Sequence, residues 1–363
     1  MFPAQRPLPA SPVTSIPASD SISRRDCLSR LSAGLLAASG SGTILTGAML
    51  TGSALTSSVL SPSQRLLASE QPRAYKVLGE DGGRVSLVDA AGQVEWQYEC
   101  KAQCHDLWML PSGNVLLAIG PATVAEVSPQ KEIVWKYQSQ PPTGYTGPIE
   151  VHAFQPLADG KVMIAESGPA RIIEVNRQGQ ITHQIPLKVE HPHPHRDTRM
   201  ARKLSTGHYL VCHEADGAVR EYNPSGKVVW EYRLNLFGRP RSGGHGPEGH
   251  GTEVFGAIRL PNGRTLIGGG NNNSVLEVDP QGRVTWSLHQ TELPGIVLAW
   301  VTMIEALPNG NIIVGNCHAG DQNPQLFEVT RDKQVVWQFK NFQTFNNSLA
   351  ATHLLGTPAG TIR

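Results

Sequence analysis

The histidines of this sequence are gathered into a few short stretches. EHPHPHRD at residues 190–197 carries His191, His193 and His195 in alternation with prolines, and FGRPRSGGHGPEGHGTE at 237–253 carries His245 and His250. Imidazole is the natural general acid or base near neutral pH and a common metal ligand. Pro192 and Pro194 hold their segment extended, so that its imidazoles are displayed at small entropic cost. Glu248 stands between the other two histidines and adds an oxygen donor. His191, His193, His195, His245 and His250 are therefore the expected ligands of a transition metal. Calcium held by Asp and Asn on a loop is the alternative.

A second group suits catalysis. His105 and His152 open the related segments CHDLWMLPSGNVLLA and VHAFQPLADGKVMIA. As general base and nucleophile they would need an anion holder, for which Arg196 or Arg199 is placed, with His250 and His353 joining them. One reacting centre requires these side chains to lie within about 12 Å of one another. A glycosidase would instead use two carboxylates from Glu150, Glu166, Glu214, Glu248, Glu253 and Asp321. No G-x-S-x-G occurs at a strand-to-helix turn, which argues against a serine hydrolase.

The elements that must position these groups repeat. Leu-Pro-x-Gly recurs in HDLWMLPSGNVLLAIG, GAIRLPNGRTLIGGG and MIEALPNGNIIVGN, each an apolar strand, a tight turn and a buried strand. A second hairpin alternates with it and ends at Trp96, Trp135, His183, Trp230, Trp286 and Trp337. Gly92, Gly179, Gly226 and Gly282 stand four residues before four of these endings, and Lys131 and Lys333 take that place in the other two. Four short strands every 40 to 55 residues or so indicate an all-β chain, a six-bladed β-propeller of four-stranded antiparallel blades. Residues 105–138, 151–187, 198–234, 254–290 and 301–340 give five blades. The sixth joins outer strands from residues 74–98 to an inner hairpin in ATHLLGTPAGTIR, so that no sheet edge is left open. The recurrent tryptophans are expected to pack between neighbouring blades. Loops between blades lie on one face, and the longest insertions and most of the histidines fall in them, together with VCHEAD, GGGNNNS and GNCHAGD.

The G-x-V-x-W endings resemble the repeats of the quinoprotein-like, or PQQ-like, propeller superfamily over nearly all of residues 74–363. The segments starting at Cys104 and Val151 are also similar to the His-bearing blade starts of bacterial arylsulfotransferases, whose histidines line the central channel. That resemblance implies sulfuryl transfer at His105 and His152. The equivalent places of later blades hold Arg199, Phe255 and Thr302, with Thr352 and His353 in the last. PQQ is the cofactor of the superfamily's quinoproteins, which carry eight blades and a vicinal Cys pair. Six blades and no such pair place PQQ behind a divalent metal among expected cofactors.

The formal net charge is +1, with no basic run interleaved with aromatics, so a nucleic-acid partner is not expected. A small molecule, a carbohydrate or a protein on the loop face suits the chain better. Residues 1–70 read as an export segment of twin-arginine type, with Arg24 and Arg25 ahead of a weakly apolar stretch, and residues 71–363 as the propeller. The expected location is periplasmic or extracellular, with no membrane span after signal removal. An oxidising compartment leaves a Cys100–Cys104 bridge open.

Overall fold

The computed structural model describes residues 73–363; the export segment expected within residues 1–70 lies outside them. The described residues form six four-stranded antiparallel sheets and no helix. The innermost strands are Leu107–Met109, Glu150–Pro156, Ala201–Lys203, Gly256–Arg259, Val301–Ala306 and Ala351–Leu355. Each packs beside the next, and the last beside the first, which closes the ring. No helix among the described residues is long and apolar enough to cross a membrane.

Within each blade the middle strands carry the core. Val162–Ser167, Tyr209–His213 and Ser274–Val278 are buried at every position, as strands covered on both faces must be. Outer strands such as Ile133–Gln138 are largely exposed. The tryptophans tie the blades together. Trp96, Trp135, Trp230 and Trp286 each donate Nε1–H to a carbonyl in the next blade, of Pro129, Arg177, Pro280 and Arg331, over 2.8 to 3.1 Å. Arg177, Arg259 and Arg331 lie over three of these rings, 4.8 to 5.4 Å from their centroids. His183 stacks on Tyr209 instead, and its buried Nε2 finds no partner, so this junction lacks the hydrogen bond that those four share.

The turn glycine before each tryptophan is needed for its backbone. Gly92, Gly179, Gly226 and Gly282 have φ between 77° and 84°, and the two lysines in that place adopt the same left-handed region, at 69° for Lys131 and 60° for Lys333. Sequence repetition therefore tracks a conformation that lysine can adopt at some cost.

One detail of closure differs from expectation. The carboxyl-terminal segment supplies one inner strand and not a hairpin: Ala351–Leu355 pairs with Lys76–Asp81, and residues 76–99 provide the other three strands. Beyond Gly356 the chain crosses to the neighbouring blade, where Ile362 exchanges backbone hydrogen bonds with Ala306 at 2.8 and 3.0 Å. Arg363 anchors the end of the segment: its Nη2 donates to Leu107 O and Thr352 O and its guanidinium lies 4.0 Å from the Trp108 ring centroid. Cys100 and Cys104 are buried free thiols, donating to the carbonyls of Ala102 and Ala118.

Candidate functional site

Blade starts some 45 residues apart in sequence become neighbours around the axis. The rings of His105 and His152 are 4.6 Å apart, that of Phe255 is 6.1 Å from His105, and Arg199 Nη1 lies 3.2 Å from His152 Nδ1. His105, His152, Arg199 and Phe255 occupy equivalent places in four successive blades, so the ring geometry alone brings them together.

The EHPHPHRD loop adds a third imidazole. Asp197, buried beneath it, accepts the amides of His193 at 2.6 Å and Gly168 at 2.9 Å. The His193 carbonyl in turn accepts the amides of Arg196 and Asp197, which winds the chain into a tight turn. His195 is thereby turned inward, with its ring 5.1 Å from that of His152 and 6.1 Å from that of His105. Glu150, at the start of an inner strand, links two of the three: its Oε2 lies 3.1 Å from His152 Nε2 and 2.7 Å from His195 Nδ1. Sequence reasoning had placed His195 and His152 in different groups and Glu150 in a third.

The electrostatics follow from burial. The His105 imidazole is held well below its ordinary range by desolvation, helped by His152, Arg199 and His195. Desolvation also lowers His152 to about 4, against the opposing hydrogen bond of Glu150. Glu150 is held down to about 2, chiefly by its hydrogen bond with His152. Near neutral pH both rings are therefore uncharged. His152 Nδ1 lies 3.0 Å from the Thr198 carbonyl while its Nε2 faces the Glu150 carboxylate. A neutral ring has one N–H and cannot serve both acceptors.

These groups open onto a cavity of about 480 Å³ whose walls include His105, His195, Arg196, Arg199, Arg241 and His245. The long loop 237–253 covers one side. Ser242 pairs with His250, Arg241 donates to Glu253 at 2.7 Å, and the ring of His245 rests 4.4 Å from Trp300 and 5.4 Å from His318. The three asparagines of GGGNNNS fasten this loop: Asn272 Nδ2 donates to Gly251 O, Asn273 Nδ2 to Gly249 O, and Asn271 Oδ1 accepts from Glu253 N. Gly270 permits the approach, because a Cβ there would meet the Glu253 carbonyl oxygen at 1.8 Å.

The other expected residues go elsewhere. His250 is buried with its Nε2 on the Leu236 carbonyl, a support of the loop outside the cavity wall. His191 is 69% exposed and bonds Asp216. His193 is exposed, and its Nδ1 accepts the His195 amide. The five histidines of the expected metal shell are thus dispersed, because Asp197 turns the loop between His193 and His195 and the pairing of Ser242 with His250 directs His250 away from His245. His353 lies farther along the channel, where Nδ1 accepts the Met109 amide at 3.0 Å, beyond the buried pair of Asp106 and Arg202. Among the carboxylates, Glu214 is paired with Arg199, Glu253 with Arg241 and Glu166 with Arg171.

A ring of six four-stranded blades with imidazole and guanidinium groups at one mouth defines a β-propeller of the PQQ-like class. The family comparison agrees: residues 81–339 match the family described as outer membrane protein assembly factor BamB, and the chain belongs to this family of PQQ-like propellers. No curated protein matches it. Among solved structures it is similar to a protein of unknown function from Bacteroides caccae, 21% identical over 79% of this chain and 100% of that one, with a TM-score of 0.65. A streptogramin B lyase is 14% identical over 76% of this chain and 86% of that one, with a TM-score of 0.50. At these identities the likeness is one of fold.

Proposed function

We propose that the channel mouth binds a small molecule through an anionic group. The observation that supports this most is Arg196. It lines the cavity, and its guanidinium makes no ion pair among the described residues, whereas its neighbours Arg199 and Arg241 are neutralised by Glu214 and Glu253. A guanidinium facing a polar cavity offers a planar fork that suits a sulfate, phosphate or carboxylate. The uncharged His105 imidazole on the same wall adds a hydrogen-bonding group without competing charge. The test is calorimetric titration of the metal-free protein with aryl sulfates, aryl phosphates and sugar acids. One of these classes is expected to bind at one equivalent, with affinity falling about tenfold or more in Arg196→Gln, the loss of one charge-assisted hydrogen bond. Unchanged affinity in Arg196→Gln would sink the reading.

A second reading, sulfuryl transfer from an aryl sulfate to a phenol, is favoured by His105. Its Nδ1 is buried and hydrogen-bonds to nothing, and the ring lies at the cavity wall beside His152. An uncharged, unengaged imidazole is competent as nucleophile or base. Acceptor-dependent release of phenol from an aryl sulfate, lost in His105→Ala, would make the site catalytic. Binding without turnover would leave it a binding site.

We also propose that the protein acts outside the cytoplasm, on the strength of Arg24, Arg25 and the apolar stretch after them. Expression with Arg24→Lys and Arg25→Lys together is expected to leave the chain in the cytoplasm, as read by fractionation; export that persists would refute a twin-arginine route.

A further inference from the structure

We propose that Glu150, His152 and His195 hold a divalent transition-metal ion at the channel mouth, with its open coordination positions facing the cavity. This inference stands without the anionic-ligand reading, since a metal site can form whatever the cavity later admits.

The donor atoms already converge. One carboxylate oxygen of Glu150, His152 Nε2 and His195 Nδ1 all lie within 4.8 Å of one another. Metal bonds of about 2.0 to 2.2 Å set neighbouring donors roughly 3.0 to 3.5 Å apart in octahedral or tetrahedral geometry. The separations of 3.1 Å and 2.7 Å from Glu150 Oε2 to the two imidazole nitrogens are close to that range, so small side-chain movements suffice. Two nitrogens and one oxygen select zinc, manganese, iron or their neighbours over calcium, which prefers oxygen throughout.

The surroundings point the same way. A metal-bound imidazole usually gives its other N–H to a backbone carbonyl or carboxylate. His152 has that partner in the Thr198 carbonyl, 3.0 Å from Nδ1, and no other donor reaches this carbonyl among the described hydrogen bonds. With the hydrogen on Nδ1, the Nε2 lone pair points at the Glu150 carboxylate, an arrangement of two electron-rich atoms that a cation between them makes favourable. Arg199 Nη1, 3.2 Å from the same Nδ1, would suit the other tautomer, but then the Thr198 carbonyl loses its donor. A second, independent observation is His105, whose buried, unpartnered Nδ1 belongs to a ring 4.6 Å from that of His152. Such a ring is placed to bond a ligand of the ion or to join its shell.

The other acidic and imidazole cluster, Glu190, His191 and Asp216, provides the contrast. Arg220 already occupies it, with Nη1 2.5 Å from Asp216 and Nη2 3.1 Å from Glu190, so its charge is satisfied by a guanidinium. No such cation sits between Glu150 and its two histidines. Arg199 lies on the far side of His152 and is paired with Glu214.

The test is titration of the untagged full chain, freed of metal by chelation, with Zn²⁺ alone and with Co²⁺ alone, the latter followed by its visible spectrum. One equivalent is expected to bind, with affinity about 100-fold or more weaker in Glu150→Gln and in His195→Ala, since even outer partners of a metal ligand are worth 10- to 100-fold. His191→Ala and His245→Ala are expected to bind as the wild type does. The His195 side chain is 45% exposed, so its removal leaves the fold intact and the comparison fair. Absence of stoichiometric binding, binding unaffected by Glu150→Gln and His195→Ala, or equal loss in His191→Ala would each overturn the proposal. Because these titrations contain no organic anion, their failure is separate from failure of the anion titration on the metal-free protein.

Discussion

Asp106→Ala is expected to destabilise the propeller by about 3 to 5 kcal/mol, the range for breaking a buried ion pair by removing one partner. Asp106 lies one layer below the histidines and is 1% exposed. It accepts Arg202 through both oxygens, at 2.6 and 3.1 Å, as well as the amides of Leu107 and Phe154. Arg202 is itself buried and stacks over Trp108, with Arg363 on the same ring. Without the carboxylate, the Arg202 and Arg363 guanidinium groups would lie on one ring with Glu305, 3.9 Å from Arg363, as the remaining counter-charge among the described ion pairs. The double variant Asp106→Ala with Arg202→Met should recover much of the loss, because the cost comes from the stranded charge more than from lost packing. For a domain of this size the single variant should lower Tm by roughly 5 to 8 °C. A double variant that is less stable than either single one would show that the pair does not act as a unit.

That layer also separates the site from His353. The buried pair of Asp106 and Arg202 lies between them, with His105 at the cavity and His353 bonded to the Met109 amide on the other side of that pair. Sequence equivalence between blades brought His105, His152 and Arg199 into one group because blade starts must surround the axis. It could not give depth along the axis, and His353 sits a residue or more deeper in its strand than the residues it was grouped with.

The fold was legible because its signals are local and repeated. The tryptophan endings, the turn position with φ > 0 and the Leu-Pro-x-Gly hairpins each encode a contact or backbone state within a few residues, and six repetitions make the period plain. Only the closure was misjudged, where the last residues cross to the neighbouring blade through the backbone pairing of Ile362 with Ala306, a contact that no local pattern marks. The site was legible in part. The loop histidines could be seen to share a face, but their partners are set by hydrogen bonds between distant segments. His191 and His195 are four residues apart and end in different clusters because Asp197 pins the turn between them. His245 and His250 part in the same way, one over the cavity and one beneath the loop. Glu150 was only one of the six carboxylates that a glycosidase reading could draw on; its place between two imidazoles depends on that turn.

Acid should unfold this protein earlier than its carboxylates alone would dictate, and two histidines outside the candidate metal set contribute to the difference. His213 is lowered to about 4, first by burial and then by Arg220; its Nδ1 donates to the Asp197 carbonyl and its Nε2 accepts from the Tyr222 hydroxyl. His353 is lowered to about 2, again first by burial and then by Arg363 and Arg202. Both folded values lie below the ordinary 6.5, so below that pH the unfolded chain takes up protons that the folded one refuses. Stability from these groups is complete above pH 6.5 and is lost as pH falls, by about 1.4 kcal/mol per unit for each. Glu80 works in the opposite sense. Burial raises it to about 8, so its contribution is complete below its ordinary 4.5 and is lost as pH rises through 8. From pH 8 to 6.5 acidification therefore strengthens the fold through Glu80, and below 6.5 His213 and His353, joined by the buried His105 and His152, outweigh it. Tm is expected to peak near pH 6.5 in the wild type. In His213→Gln with His353→Gln the acid limb should be shallower by about 2.7 kcal/mol per unit, while His105 and His152 keep it falling. Parallel pH profiles for the two proteins would mean that these two rings titrate alike in the folded and unfolded chain, and would remove the account of burial and neighbouring guanidinium groups holding them neutral.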